Sequence, residues 1–86
     1  MAPTNKVQLV FVVNGTPVSE EVNDNQPLHS VLAKVLHAAG VPGEPDPSRW
    51  EFKFNDQVLD PNKKIGEFGF PPGAHIFVNL KAGVVG

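Results

Sequence analysis

The 86-residue sequence contains no cysteine, which excludes disulfide cross-links and thiolate metal sites. A domain of this length buries only about 60 to 65% of its unfolded surface, so without such staples it depends on a compact apolar core. No apolar segment approaches the roughly 20 residues of a membrane span. The opening residues, Met1 to Lys6, carry one lysine and no apolar stretch of the kind that leads a secreted chain. This reading places the protein in the cytoplasm and away from membranes. Charge is also sparse, with 7 basic residues against 9 acidic ones and a formal net charge of −2. Such a balance gives no broad pull toward nucleic acid or anionic lipid. The HExxH, GxSxG, P-loop and dinucleotide-binding patterns are all missing. His29, His37 and His75 are the only histidines, and the first two fall on the polar side of a helical pattern, where solvation explains them. Glu20, Glu21 and Asp24 read as solvated acids before a helix N-terminus, and Lys63-Lys64 as a solvated turn. The sequence therefore predicts a non-enzyme with no catalytic residue, cofactor or metal site.

What remains is a well-patterned fold. Val7 to Val13 is a nearly continuous β-branched and aromatic run that ends at Asn14-Gly15, a pair suited to a two-residue type I′ turn because both tolerate positive φ. A return strand from Val18 to Val22 follows. Pairing across the turn places Val13 opposite Thr16, Phe11 opposite Val18, Leu9 opposite Glu20 and Val7 opposite Val22. Glu20 then lies on the face that wants burial, so either a bulge shifts the register or the carboxylate escapes at an edge. Asn23, Asp24 and Asn25 are candidate N-caps, with Pro27 in the first turn of a helix. Leu28, Val31, Leu32, Val35, Leu36 and Ala39 recur at helical spacing until Gly40. The prolines at 42, 45 and 47 cannot continue that helix and mark a stiff loop. Trp50, Phe52 and Phe54 alternate with Glu51 and Lys53 in a strand with an aromatic inner face. Asn55-Asp56 then turns the chain into Gln57-Val58-Leu59. A right-handed crossover through the helix is expected to bring the Trp50 strand beside the first strand. The predicted core is Leu9, Val18, Leu28, Val31, Val35, Phe52, Leu59, Ile65, Phe68, Ile76 and Val78, with Leu80 the last residue able to pack beneath the sheet.

The stretch from Ile65 to Leu80 reads as a glycine-bent apolar turn feeding a final strand. This stretch, together with Asn14-Gly15 and the helix from Leu28 to Gly40, resembles ubiquitin and its relatives, including short bacterial ubiquitin-like proteins of the multiubiquitin type. The resemblance covers 7–81 and is strongest at Ile65-Gly66-Glu67-Phe68-Gly69-Phe70. Gly69 and Gly73 fall where ubiquitin holds non-glycine residues at positive φ, a conformation glycine reaches without steric cost. The implied fold is α+β, a ubiquitin-like β-grasp with a mixed sheet of four to five strands and one helix packed across it, in ββαβββ order. Residues 1–6 are expected as a flexible N-terminus, 7–81 as the domain and 82–86 as a flexible C-terminal tail.

Function follows from the same resemblance. A ubiquitin-like protein modifier is conjugated through its terminal glycine carboxylate, by an isopeptide bond to target proteins. An E1-like adenylating enzyme supplies the ATP and magnesium, and an isopeptidase reverses the linkage. The matching tail here ends Lys81-Ala82-Gly83-Val84-Val85-Gly86, so Gly86, or Gly83 after trimming, would carry the reactive carboxylate. Ubiquitin ends in a diglycine, whereas β-branched Val84 and Val85 would fit a narrow activation channel poorly. Ubiquitin's apolar recognition patch maps onto Val13, Lys53 and Asn79, two of them polar, with Phe77 offering a different anchor. The alternative is an interaction module that docks through its sheet and is never conjugated, and on either reading the protein is expected to be a monomer.

Overall fold

Two short turns made of residues that tolerate left-handed backbone set the register of the sheet. The computed structural model describes residues 6–41 and 46–81. Strands β1 (Lys6–Val13) and β2 (Thr16–Asn23) form an antiparallel hairpin. Asn14 and Gly15 between them have φ of 48° and 86°, as a type I′ turn requires. Val13 pairs with Thr16, Phe11 with Val18, Leu9 with Glu20 and Val7 with Val22, as the sequence predicts and without a bulge. Glu20 therefore does face inward. Because β2 is an outer strand, its carboxylate reaches the rim and meets Lys34 Nζ at 3.4 Å.

The helical segment begins as a 3-10 turn at Leu28–Val31 and becomes helix α1 over Leu32–Ala38. The expected side-chain cap is absent. The Leu28 and His29 N–H groups instead donate to the carbonyls of Lys63 and Pro61 at 2.9 and 3.0 Å, so the orphan donors of the first turn have backbone partners already. Asn23 closes its own turn, its Oδ1 accepting from Asn25 N–H at 2.9 Å. At the other end Gly40 takes φ 85°, Val41 N–H reaches Leu36 O at 2.9 Å, and Gly40 N–H reaches His37 O at 3.1 Å. That double bond pattern satisfies the last carbonyls of α1.

Strands β3 (Trp50–Phe54) and β4 (Gln57–Val58) are joined by Asn55 and Asp56, both left-handed. A 3-10 turn at Ile65–Phe68 leads to β5 (Ala74–Leu80). Gly69 and Gly73 have φ of 68° and 80°, as expected from the resemblance. The five strands lie in the order β2-β1-β5-β3-β4. One expectation fails: β3 does not pair with β1. It runs antiparallel to β5, and β5 runs parallel to β1. β5 has seven residues against five in β3, and it buries Ala74, Ile76 and Val78 along one face. Its length lets it pair on both sides, over five residues with β1 and four with β3.

α1 crosses one face of this mixed sheet. Leu9, Phe11 and Val13 of β1 and Ile76 and Val78 of β5 meet Leu28, Val31, Leu32, Val35 and Leu36, each no more than 2% exposed. Phe52 and Ile65 complete the centre. Leu59 and Phe68, expected in the core, are half-buried against its margin. Leu80 is 37% exposed and lies beyond the cover of the helical segment. No helix among the described residues is long and apolar enough to cross a membrane.

Candidate functional site

Strand alternation sends every second residue to the sheet face that α1 leaves open. The ladder registers align five of those residues in one row. Pro17 pairs with Val12, Val12 with Phe77, Phe77 with Lys53, and Lys53 with Val58. The row crosses all five strands, a span of about 19 Å at ~4.8 Å per strand. Val10 and His75 stand in the neighbouring row. Phe77 is 46% exposed and Val58 64% exposed, and Val10 and Val12 are half-buried. Lys53 is the row's one charge, and its Nζ meets Glu51 Oε2 at 3.3 Å on the same face. The result is an apolar band with a single ion pair set into it.

Three of the four sequence-predicted surface residues are on this face. Lys53 and Phe77 are cross-strand partners, and Asn79 lies opposite Glu51 one step along β5. Val13 is not on it. The resemblance carried a turn residue onto a position that here is the last residue of β1. Its side chain points to the helix side and is 1% exposed. The hydrogen-bonded register already placed Val13 on the same face as Leu9 and Phe11, so the correct signal was available. Val12, one residue earlier, is the surface residue. Pro17 and Val58 were also missed, although alternation through their paired strands assigns both to the outer side.

Beside Val58 the face runs into a cleft lined by Trp50, Phe52, Leu59, Pro61 and Lys81, with a volume of about 100 Å³. Sites for cofactors and small molecules typically enclose about 300 to 1,000 Å³, so this one has room for a single side chain. The last backbone bond across the sheet among the described residues lies at the same end, from Lys81 N–H to Arg49 O at 2.9 Å. Gly83 and Gly86 lie outside the described residues. The histidines do not assemble: His29 and His37 are exposed on the helical segment and His75 is on the opposite side of the sheet. Among the described residues no group of histidine and acidic side chains could hold a metal ion. The pKa of Asp46 is displaced. Its carboxylate accepts from Ser48 Oγ at 2.7 Å and Ser48 N–H at 3.0 Å, and these bonds, helped by Arg49 and Lys81, hold it below the usual value of 3.8.

Comparison with known proteins agrees with this architecture. An uncharacterized protein of Sinorhizobium fredii, y4jI, is 45% identical over 82 residues, covering 94% of this chain but 62% of the relative. The chain thus spans less than two thirds of that protein's length. Among solved structures, a Caldiarchaeum subterraneum ubiquitin superposes with a TM-score of 0.72 at 19% identity, covering 95% of this chain and 99% of the other. A designed protein based on ubiquitin gives 0.73 at 17% identity, covering 94% and 95%. At such identities the likeness establishes the fold. The family model described as Protein of Unknown function (DUF2604) matches residues 2–86. The chain is a member of that family, and its fold is the ubiquitin-like β-grasp.

Proposed function

We propose that this chain is a ubiquitin-like protein modifier, activated and conjugated through its C-terminal glycine tail. The observation that carries the reading is the placement of β5. It is held between β1 and β3 through the middle of the sheet, and it delivers the chain to Lys81 at the end where the open face meets the Trp50 cleft. A strand paired on both sides suits an enzyme that must position the carboxylate of the following segment, and Val84 and Val85 would require a channel wider than the one a diglycine needs. The chemistry lies in the partner. A carboxylate oxygen attacks the α-phosphorus of ATP and expels pyrophosphate, an enzyme thiolate displaces AMP, and a target lysine amine then displaces the thiol to form the isopeptide bond.

The test is to incubate the purified protein with an adenylating enzyme of its own organism, ATP and magnesium, and to look by mass spectrometry for the adenylate and a thioester. Removal of Gly86 should abolish transfer if activation uses the full tail. If trimming after Gly83 comes first, removal of 83–86 should abolish transfer. A second reading rests on a separate observation, the row of Val12, Phe77 and Val58. If no adenylate forms, while a partner binds in a manner that Phe77→Ser disrupts, the protein is a ubiquitin-like interaction module. In either case its place is in the cytoplasm, and its partners are proteins.

A further inference from the structure

β2 is the outer strand on its side of the sheet, eight residues long, and paired to β1 without a bulge from Thr16 to Asn23. A long, regular outer strand is a template for pairing with another chain, because the backbone groups on its far side are open. The hairpin register identifies those groups. A two-residue turn makes Val13 and Thr16 a mutually hydrogen-bonded pair, so Thr16, Val18, Glu20 and Val22 aim their amides and carbonyls at β1. Pro17, Ser19, Glu21 and Asn23 aim theirs outward.

Both ends of this outward row are closed. Pro17 has no N–H to offer. At the other end Asn23 N–H donates to Gln26 Oε1 at 3.0 Å, and Asn23 O accepts from Gln26 N–H at 3.2 Å. Ser19 and Glu21 are left as the two residues that present both a donor and an acceptor. An antiparallel second copy that uses all four groups has one available register, Ser19 opposite its Glu21 and Glu21 opposite its Ser19. Glu20 then faces Glu20 of the second copy.

The chemistry of that meeting is unfavourable by construction. Glu20 points inward between Val18 and Val22, opposite the fully buried Leu9, and its side chain is 16% exposed. Its carboxylate is held there by Lys34, whose own side chain is 63% exposed. Directly opposed residues of a non-hydrogen-bonded pair have Cα atoms about 4.5 Å apart. The two Glu20 side chains would be direct cross-strand neighbours on one face while the added strand stripped water from both, and like charges so placed repel. Folding alone gives no reason for an acid at this position, since valine would extend the apolar face formed by Val18 and Val22, and a pair with a solvated lysine stabilises little.

We propose that Glu20, anchored by Lys34 and flanked by Pro17 and the Asn23–Gln26 clasp, keeps the β2 edge closed to a second copy of this chain. The charge is retained against the interest of the core, and its role is to keep the protein single when it is crowded.

The experiment is sedimentation equilibrium of the full chain and of Glu20→Val from micromolar to millimolar concentration, with thermal unfolding of both at the low end of that range. The wild-type chain should remain monomeric throughout. Glu20→Val should self-associate at least about tenfold more strongly and unfold at a higher temperature as a monomer. Glu20→Gln, which keeps the shape and removes the charge, should fall between them in self-association. Adding Ser19→Pro to Glu20→Val removes one of the two remaining outward N–H groups and should restore the monomer. Wild-type dimers disrupted by Ser19→Pro would overturn the proposal. So would Glu20→Val and Glu20→Gln variants that stay monomeric at millimolar concentration. A Glu20→Val monomer less stable than wild type would make the carboxylate a structural ion pair and overturn it equally.

Discussion

The two faces of one sheet are built from adjacent residues and serve different ends. Val13, Ile76 and Val78 are sealed beneath the helical segment, whereas Val12 and Phe77, their immediate neighbours in the chain, lie on the side that no element among the described residues covers. Hydropathy does not separate the two sets, since both are apolar. What separates them is the parity of the strand and the single helical segment available to cover it. One face supplies the stability of the domain. The other is left apolar without contributing to that core, and it leads into the strand that delivers the tail.

Four predictions test this division, from the largest effect to the smallest. Ile76→Ala removes a fully buried side chain from the middle of the inner face, and should lower the unfolding free energy by about 2 to 5 kcal/mol. A domain of this size has about 4 to 13 kcal/mol in total, so urea titration should find it close to unfolding. An unchanged urea midpoint would break the assignment of the inner face. Next, Gly69→Val and Gly73→Val each force a β-branched residue into the left-handed region, at a cost of roughly 1 to 2 kcal/mol. A Cβ at either position would meet nothing within 4 Å, so the penalty is backbone strain alone, and alanine should cost less than valine. No loss of stability in either the alanine or the valine variants would contradict the left-handed backbone at these positions.

Phe77→Ser is the matched change on the outer face. It should alter stability by less than about 1 kcal/mol while weakening partner binding at least tenfold. A stability loss as large as that of Ile76→Ala would erase the distinction between the faces. The smallest effect concerns neither face. Asp46 caps the 3-10 turn at Pro47–Arg49 that leads into β3, and its carboxyl is held below its usual value by Ser48. A carboxyl depressed in the folded state binds fewer protons than in the unfolded chain. Its contribution is therefore complete above the ordinary carboxylate range and is lost as pH falls through the depressed value. Asp46→Asn should therefore lower stability slightly at neutral pH and match wild type well below about pH 4, so that the acid limb of the stability profile flattens.

Much of the fold was legible because the relevant signals are local. Asn14-Gly15 specifies its turn, the turn specifies the register, and the register fixes Leu9, Phe11, Val18 and Val22 on one face. Gly40, Gly69 and Gly73 announce left-handed backbone in the same way. The placement of β3 was not legible, because which strand fills the central slot depends on pairing between segments far apart in the chain. The helix cap was hidden for a similar reason, since its acceptors are carbonyls of Pro61 and Lys63 more than 30 residues away. On the candidate surface, Phe77 was found by alternation and Lys53 and Asn79 by the family resemblance, while Val13, carried over in the same way, was misplaced against the parity of its own strand.

The division between the faces is tested most directly by mapping partner contact residue by residue. Isotope-labelled protein titrated with the adenylating enzyme should lose amide and methyl signal at Val12, Phe77, Lys53, Val58 and Lys81, with Lys34 and His37 on the helical segment unaffected. Attenuation centred on Lys34 and His37, with Val12 and Phe77 unchanged, would contradict the account.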